Sequence, residues 1–460
     1  MIETVQLQKL RRFDSMDMAD KVHYTAHAEL DKPDGIYRSG ETAHCRVDFY
    51  RNGKKYKGRI RCRIFIENQM VFSRNADYKG KPLEFKICCP HPGWVRFSFQ
   101  ILSSHDRALR GEKLWKHPMK PSVVEDIGAV FDPDQLHRLA PRPKNFDAFW
   151  ERQKAKLDNV PFRTEKKELP VPDAYKGKVR LFAVTLDIGA RQHATGYLAV
   201  PENAAPKSCP AYIWFLSWCW TDTLPEMALG QAARGAVAFA ATWHGLPVGM
   251  PPEFYADEQK RFNSLQGVEK PETWIMGRVF LRVLRELEFL KSQPEWNGRE
   301  LVVHGGSLGG IQTLCAAALD PAVTLAIVGV PCFNEFDTGT VREPSLPLKG
   351  KSGTPERCRA AEYFAGSNFA PLITSEIHFC TGFVDTSCPP SGVYVTYNEL
   401  PEQTVKSMSA NPRTGHYGTT PHVNGNRRLE EYFKSTKVQK YEPEKEKGEV
   451  KSRRPRKTVG

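Results

Sequence analysis

The chain has 460 residues, 40% of them hydrophobic and 26% charged, with a formal net charge of +13. That length exceeds one ordinary domain, and the balance is that of a globular protein with ample material for a core. No run of about 18 apolar residues occurs, which excludes a spanning helix, and eleven cysteines without a C-x-x-C pair give no zinc spacing.

Residues 1–20 form an N-terminal segment. Met1–Leu10 has no apolar h-region and no cleavage pattern. The sequence as it stands therefore reads as cytoplasmic, and as secreted or periplasmic if its true start is missing. The odd cysteine count without a framework also favours a reducing compartment.

Residues 21–116 are expected to form an accessory β-sandwich. Short apolar runs such as Val22–Ala28 and Ala43–Tyr50 alternate with turn signals, and Asn52-Gly53 between two β-prone runs is a hairpin cue. Arg59, Arg61 and Arg63 alternate with Ile60, Cys62 and Ile64, which puts the arginines on a wet face and the apolar set on a core. Residues 117–144 carry Pro118, Pro121, Pro133, Pro141 and Pro143 and read as a connector.

Residues 145–436 are expected to be a separate α/β domain. Asn145–Trp150 opens a helix with Phe146, Phe149, Trp150 and Gln153 on one side. From Val179 onward strands and helices alternate, the pattern of a mostly parallel sheet flanked by helices. Val179–Ile188 and Tyr197–Val200 read as an antiparallel pair, and Ala211–Phe215 and Ala236–Ala241 as short buried strands. Phe280, Val283, Leu284, Leu287 and Leu290 follow helical spacing, with charged residues opposite. A last helix is expected from about His422 to Lys434. Residues 437–460 carry nine Lys/Arg against four Glu and read as a solvated, disordered basic tail.

The stretch Leu301–Leu319 is the most informative. Leu301-Val302-Val303 runs into Gly305-Gly306-Ser307-Leu308-Gly309, and Ile311–Leu319 continues as a helix. This is G-x-S-x-G between a strand and a helix, the context of a nucleophile elbow in an α/β-hydrolase. Glycines let the backbones approach, and the N–H of Leu308 would face a developing oxyanion. In this fold the triad order is Ser, Asp/Glu, His. Asp385 follows the strand-like Ile377–Thr381, and His416 follows Val405–Met408 on a loop, with His422 six residues further on. A serine hydroxyl needs a base, and the base needs an anion to fix its tautomer. Each residue alone has an ordinary explanation: Asp385 as a cap, His416 as a loop histidine. The loop Leu216–Trp220 after Ala211–Phe215 is where the second oxyanion donor belongs, at the Trp218 N–H. Trp218, Trp220 and Trp243 offer aromatic surface suited to a sugar ring.

These residues resemble the acetyl xylan esterase/cephalosporin C deacetylase family of carbohydrate esterases. The resemblance spans roughly Asp126 to Lys434. It rests on Arg142–Trp150, Gly305–Gly310, Asp385-Thr386-Ser387-Cys388-Pro389-Pro390 and Gly415-His416. It implies an α/β-hydrolase fold with Ser307 as nucleophile, Asp385 as acid and His416 as base, no cofactor and no metal. The implied activity is removal of acetyl or other small acyl groups from carbohydrates through an acyl-serine. The implied partner is an acetylated saccharide or similar ester; a homo-oligomer is compatible, and no nucleic acid or membrane is expected. The chain departs from the family pattern at Leu308, where Gln is usual, and at Leu216-Ser217 in place of His-Gly. Trp243-His244-Gly245-Leu246 replaces an Arg-Gly-Gln segment, and Tyr417 replaces Glu. The alternatives are another α/β-hydrolase, a peptidase or acyltransferase, and a non-catalytic sugar-binding homologue.

Overall fold

The computed structural model describes residues 24–109, 124–339, 341–417 and 423–435. The expectations for segment 1–20, for tail 437–460 and for His422 lie outside the described residues.

Two sheets make up the N-terminal region. Tyr24–Leu30, Thr42–Arg51, Lys54–Lys55 and Leu83–Cys88 form one; Ile36–Tyr37, Val124–Phe131, Gly93–Ile101, Gly58–Ile66 and Gln69–Tyr78, in that order, form the other. They share one core, with Val47 and Phe49 from the first and Ile60, Cys62, Phe97 and Phe99 from the second. Asn52-Gly53 is the two-residue turn joining Arg51 to Lys54, and both its residues have positive φ, as a type I′ hairpin demands. Ile60, Cys62 and Ile64 are buried, while Arg59, Arg61 and Arg63 face Asp106, Asn75 and Ser98 on the other side.

The segment expected as a connector differs. Val124–Phe131 is a strand that pairs antiparallel with Gly93–Ile101 along its length. Ile127, Ala129 and Phe131 alternate into the shared core. Of the prolines that suggested a linker, Pro133, Pro141 and Pro143 come after this strand, where a missing N–H costs no ladder bond.

The second region is built on a nine-stranded sheet. In spatial order the strands are Thr164–Leu169, Val179–Asp187, His193–Pro201, Val237–Ala241, Cys209–Phe215, Trp296–Gly306, Leu325–Gly329, Glu376–Gly382 and Lys406–Asn411. The first three pairings are antiparallel and the remaining five parallel. Helices Phe146–Asp158, Gly277–Lys291 and Leu308–Leu319 pack apolar residues into the largest core. The sheet and its helices form an α/β-hydrolase fold. The first strand, Thr-Glu-Lys-Lys-Glu-Leu, shows no apolar period because it is an edge strand with exposed side chains.

The parallel strands end in loops that gather at one edge of the sheet, where open α/β folds assemble their sites. No helix among the described residues is long and apolar enough to cross a membrane.

Candidate active site

Ser307 sits between the strand Trp296–Gly306 and the helix Leu308–Leu319 at φ 56°, ψ −117°. A non-glycine residue there is strained, and the surroundings must hold it. They do so through the backbone: the Ser307 N–H donates to Gly329 O at 2.8 Å, and Ser307 O accepts from Cys332 N at 3.0 Å. The flanking glycines are sites of close approach. A Cβ on Gly305 would collide with the Gly309 backbone, and one on Gly309 with the Phe215 carbonyl.

Asp385 follows the strand Glu376–Gly382 and is fully buried. Its Oδ1 accepts from the N–H groups of Ser387 and Cys388 at 2.8 and 2.9 Å, so the carboxylate closes its own loop. Its Oδ2 lies 2.8 Å from His416 Nδ1. The capping role and the pairing with histidine thus coexist, one oxygen each. His416 comes from the loop after Lys406–Asn411, and its Nε2 lies 2.9 Å from Ser307 Oγ. The structure brings Ser307, His416 and Asp385 into one hydrogen-bonded chain. Burial pulls the His416 pKa down, but the Asp385 carboxylate, with help from the adjacent Cys388 thiol, overrides it, and the net direction is upward. Burial pushes the Cys388 thiol up to about 12.

Leu308 is the first residue of its helix, where N–H groups have no intrahelical acceptor and the dipole favours an anion. The facing loop carrying Trp218 is tied to the elbow by two side chains to which the sequence reading assigned no role. Ser217 Oγ donates to Gly306 O at 2.7 Å. Gln312 Nε2, fully buried, donates to both Leu216 O and Leu308 O at 3.1 Å. Ser217 was visible only as a departure from the family loop. Gln312 was visible as a polar residue on an otherwise apolar helix, which is an anomaly that asks for a partner.

The three tryptophans play unequal parts. Trp218 is 42% exposed and stacks at 4.6 Å on Trp243, which is 1% exposed. Trp243 Nε1 donates to Cys219 O at 2.9 Å and so fixes the same loop from below. Trp220 meets Trp243 edge-on. Trp220 and Trp243 line a cavity of about 180 Å³ with His244, Phe262, Arg278 and Arg282. Of the tryptophans expected to meet substrate, Trp218 is the one presented to solvent, whereas Trp243 is its support. Tyr417, 60% exposed, packs edge-on against His416.

Among the described residues, Asp385, Cys388 and His416 place potential metal-ligand atoms close together. Both His416 ring nitrogens are already engaged, so a metal there would compete with the bonds to Asp385 and Ser307.

Residues 134–430 match the family model described as Acetyl xylan esterase (AXE1). The chain is 27% identical over 285 residues to the acetyl esterase Axe7A of Xylanibacter ruminicola, a match that covers 58% of this chain and 62% of that protein. Among solved structures it is similar to an acetyl xylan esterase from Paenibacillus sp. R4, with TM-score 0.56 and 22% identity over 65% of this chain and 98% of that one. Acetyl xylan esterase 1 from Thermoanaerobacterium sp. JW/SL YS485 aligns with TM-score 0.52 and 18% identity over 66% of this chain and 97% of that one. At these identities the two structures speak for the fold, and the family model, covering more than half of the chain, speaks for the lineage: the chain belongs to the acetyl xylan esterase family.

Proposed function

We propose that the protein is a serine esterase that removes acetyl and other small acyl groups from carbohydrates through an acyl-Ser307 intermediate. The observation that carries this reading is the chain Ser307 Oγ, His416 Nε2, His416 Nδ1, Asp385 Oδ2, with links of 2.9 and 2.8 Å, mounted on a strained elbow.

His416 takes the Ser307 proton as the oxygen attacks the acyl carbon. Asp385 keeps the imidazole in the tautomer with its lone pair toward the serine and stabilises the imidazolium. The carbonyl oxygen becomes an oxyanion, and the N–H groups of Leu308, at the helix start, and of Trp218, in the facing loop, are the donors assigned to it. His416 then protonates the departing sugar oxygen, which leaves as the free hydroxyl. Water, deprotonated by His416, attacks the acyl carbon; the bond to Ser307 Oγ breaks, Oγ takes the proton back from His416, and the carboxylic acid is released. The exposed face of Trp218 is suited to the C–H face of a sugar ring, and Trp243 beneath holds it in place. Family membership, and the resemblance to proteins named for acetyl ester cleavage, support the acyl group and the alcohol class.

The test is labelling with a fluorophosphonate probe, followed by hydrolysis of acetylated xylo-oligosaccharides and of p-nitrophenyl esters of rising acyl length. The reading expects labelling at Ser307, loss of label in Ser307→Ala, and turnover that falls as the acyl chain lengthens. No labelling would point to a non-catalytic sugar-binding protein. Labelling with preference for a peptide or for acyl transfer would point to another activity of the same fold.

A further inference from the structure

Asp385 and His416 stand beyond the last two strands of the sheet, and among the described residues the strand Lys406–Asn411 has no further neighbour in the sheet order. Their loops are instead met by the N-terminal β-region. Trp94, 1% exposed, donates from its indole Nε1 to Phe383 O at 2.6 Å, two residues before Asp385. The Gly128 N–H donates to Pro412 O at 2.8 Å, four residues before His416. A Cβ on Gly128 would collide with the Phe383 carbonyl, so the two backbones touch. Arg413 in the same loop lies 3.4 Å from Glu125. Trp94, Val130 and Leu136 share a small core with Phe383, Tyr394 and Val395. The acid and histidine loops are zipped to each other, Phe383 N to Asn411 O at 2.8 Å and Val384 N to Thr414 O at 3.1 Å. A shift in one is therefore passed to the other.

We infer that Trp94 and Gly128 are positioning residues for the Asp385–His416 pair, so that the β-region completes the active site rather than serving as a detached accessory. This inference rests on the esterase reading. A buried carbonyl that accepts an indole N–H is fixed in place, because losing that donor leaves an unsatisfied polar group. Geometry then decides the rate, since displacement of a reacting group by about 1 Å can cost about 100-fold.

The experiment uses the full chain and four variants: Trp94→Phe, which keeps an aromatic ring but removes the donor; Gly128→Ala, which inserts the wedge; Val47→Ala, a buried residue of the same β-core; and Ser307→Ala. Initial rates on a soluble acetyl ester are measured across pH, with melting temperatures. Trp94→Phe is expected to lower kcat about 10-fold and Gly128→Ala about 100-fold, with KM within about 2-fold. In both, the acidic limb of kcat/KM moves to lower pH, because a carboxylate held less well against His416 raises its pKa less. Val47→Ala lowers the melting temperature without moving that limb. Wild-type kcat and an unmoved limb in Trp94→Phe overturn the inference even if Gly128→Ala fails to fold. So does a Val47→Ala variant that reproduces the loss of kcat and the shift at an equal drop in melting temperature. A wild-type chain without turnover, or turnover that survives Ser307→Ala, overturns the esterase reading and this inference with it. An inactive Ser307→Ala beside fully active Trp94→Phe and Gly128→Ala overturns this inference alone.

Discussion

Ser307 leaves the sixth strand of nine, which has parallel neighbours on both sides; Asp385 and His416 leave the eighth and ninth, at the sheet's edge. The serine is held by local means. Its own peptide bonds to the next strand and loop, and glycines before and after it admit contacts that no side chain would allow. The acid and the histidine are held at long range, by an indole 289 residues away and by a glycine of another sheet. The two halves of one site thus depend on different parts of the molecule. A nucleophile elbow comes with its own support, whereas an edge loop must borrow it.

The comparison breaks most completely at the residue that joins the halves. His416 touches both Ser307 and Asp385, and His416→Ala is expected to lower kcat on an acetyl ester by about 10⁴- to 10⁶-fold, the scale seen when a triad base is removed. Near wild-type turnover would move the base elsewhere, with His422 the first alternative to test. On the elbow side, Gly309→Ala would drive a Cβ into the Phe215 carbonyl in the middle of the sheet. Overpacking of such a site costs about 1–3 kcal/mol or more. Thermal unfolding should therefore drop together with kcat. The wedge at Gly128 meets the Phe383 carbonyl at least as closely and should cost stability too; the halves are told apart by the acidic limb of kcat/KM, which moves with Gly128→Ala and stays with Gly309→Ala. A limb that moves equally in both would erase the distinction between the halves.

A smaller effect should separate the oxyanion loop from both. Ser217 ties that loop to the elbow through Gly306 O. Ser217→Ala is expected to lower kcat about 10-fold, less than the 10²–10³ that follows loss of an oxyanion donor itself, since the donors remain and only their aim loosens. The pH profile should stay where it is, because His416 and Asp385 are untouched. In the wild-type chain the acidic limb of kcat/KM should rise as His416 loses its proton, with a midpoint above the ordinary histidine value of about 6.5. The sign follows from the Asp385 carboxylate, which favours the imidazolium. A limb at or below the ordinary value would mean that burial, not the carboxylate, prevails there.

What the sequence made legible follows the same division. G-x-S-x-G between a strand and a helix is a pattern within twenty residues, and local patterns survive without coordinates. So do the Asn52-Gly53 turn and the alternating arginines 59, 61 and 63, because periodicity is a one-dimensional signal. The order of Ser307, Asp385 and His416 was readable because each loop follows a strand. The supports of the last two were not, because no spacing rule links Trp94 to Phe383 or Gly128 to Pro412. Val124–Phe131 was hidden for a related reason: prolines on both sides imitate a linker, and only pairing with Gly93–Ile101 shows a strand. Thr164–Leu169 was hidden by composition, since an edge strand is free to be charged.

The smallest expected effect on the site probes the seam between the two regions through stability. Glu67 is buried between them: Oε1 accepts from Trp94 N at 2.8 Å, and Oε2 accepts from Ser391 Oγ at 2.7 Å. Burial pushes its pKa up to about 7, only partly offset by the Ser391 hydroxyl, by Arg342 and by the Trp94 amide. At pH 4 the carboxyl is mostly protonated in folded and unfolded chains alike and adds little pH dependence. Between its ordinary pKa and about 7 the unfolded chain gives up the proton while the folded chain keeps it, so stability falls as pH rises; above about 7 the loss is complete. At 1.36 kcal/mol per pKa unit the loss is about 3 kcal/mol. A glutamine offers an oxygen to Trp94 N and an N–H to the Ser391 hydroxyl, and it carries no charge to bury. Glu67→Gln should therefore match the wild type at pH 4 and exceed it by up to about 3 kcal/mol at pH 8, as read by denaturant unfolding at both pH values. Glu286, Glu335 and Glu362 are also buried with raised pKa values, so both chains will lose stability toward alkaline pH. The difference between the two curves isolates Glu67, and curves that stay parallel from pH 4 to pH 8 would show that its charge is relieved in some other way.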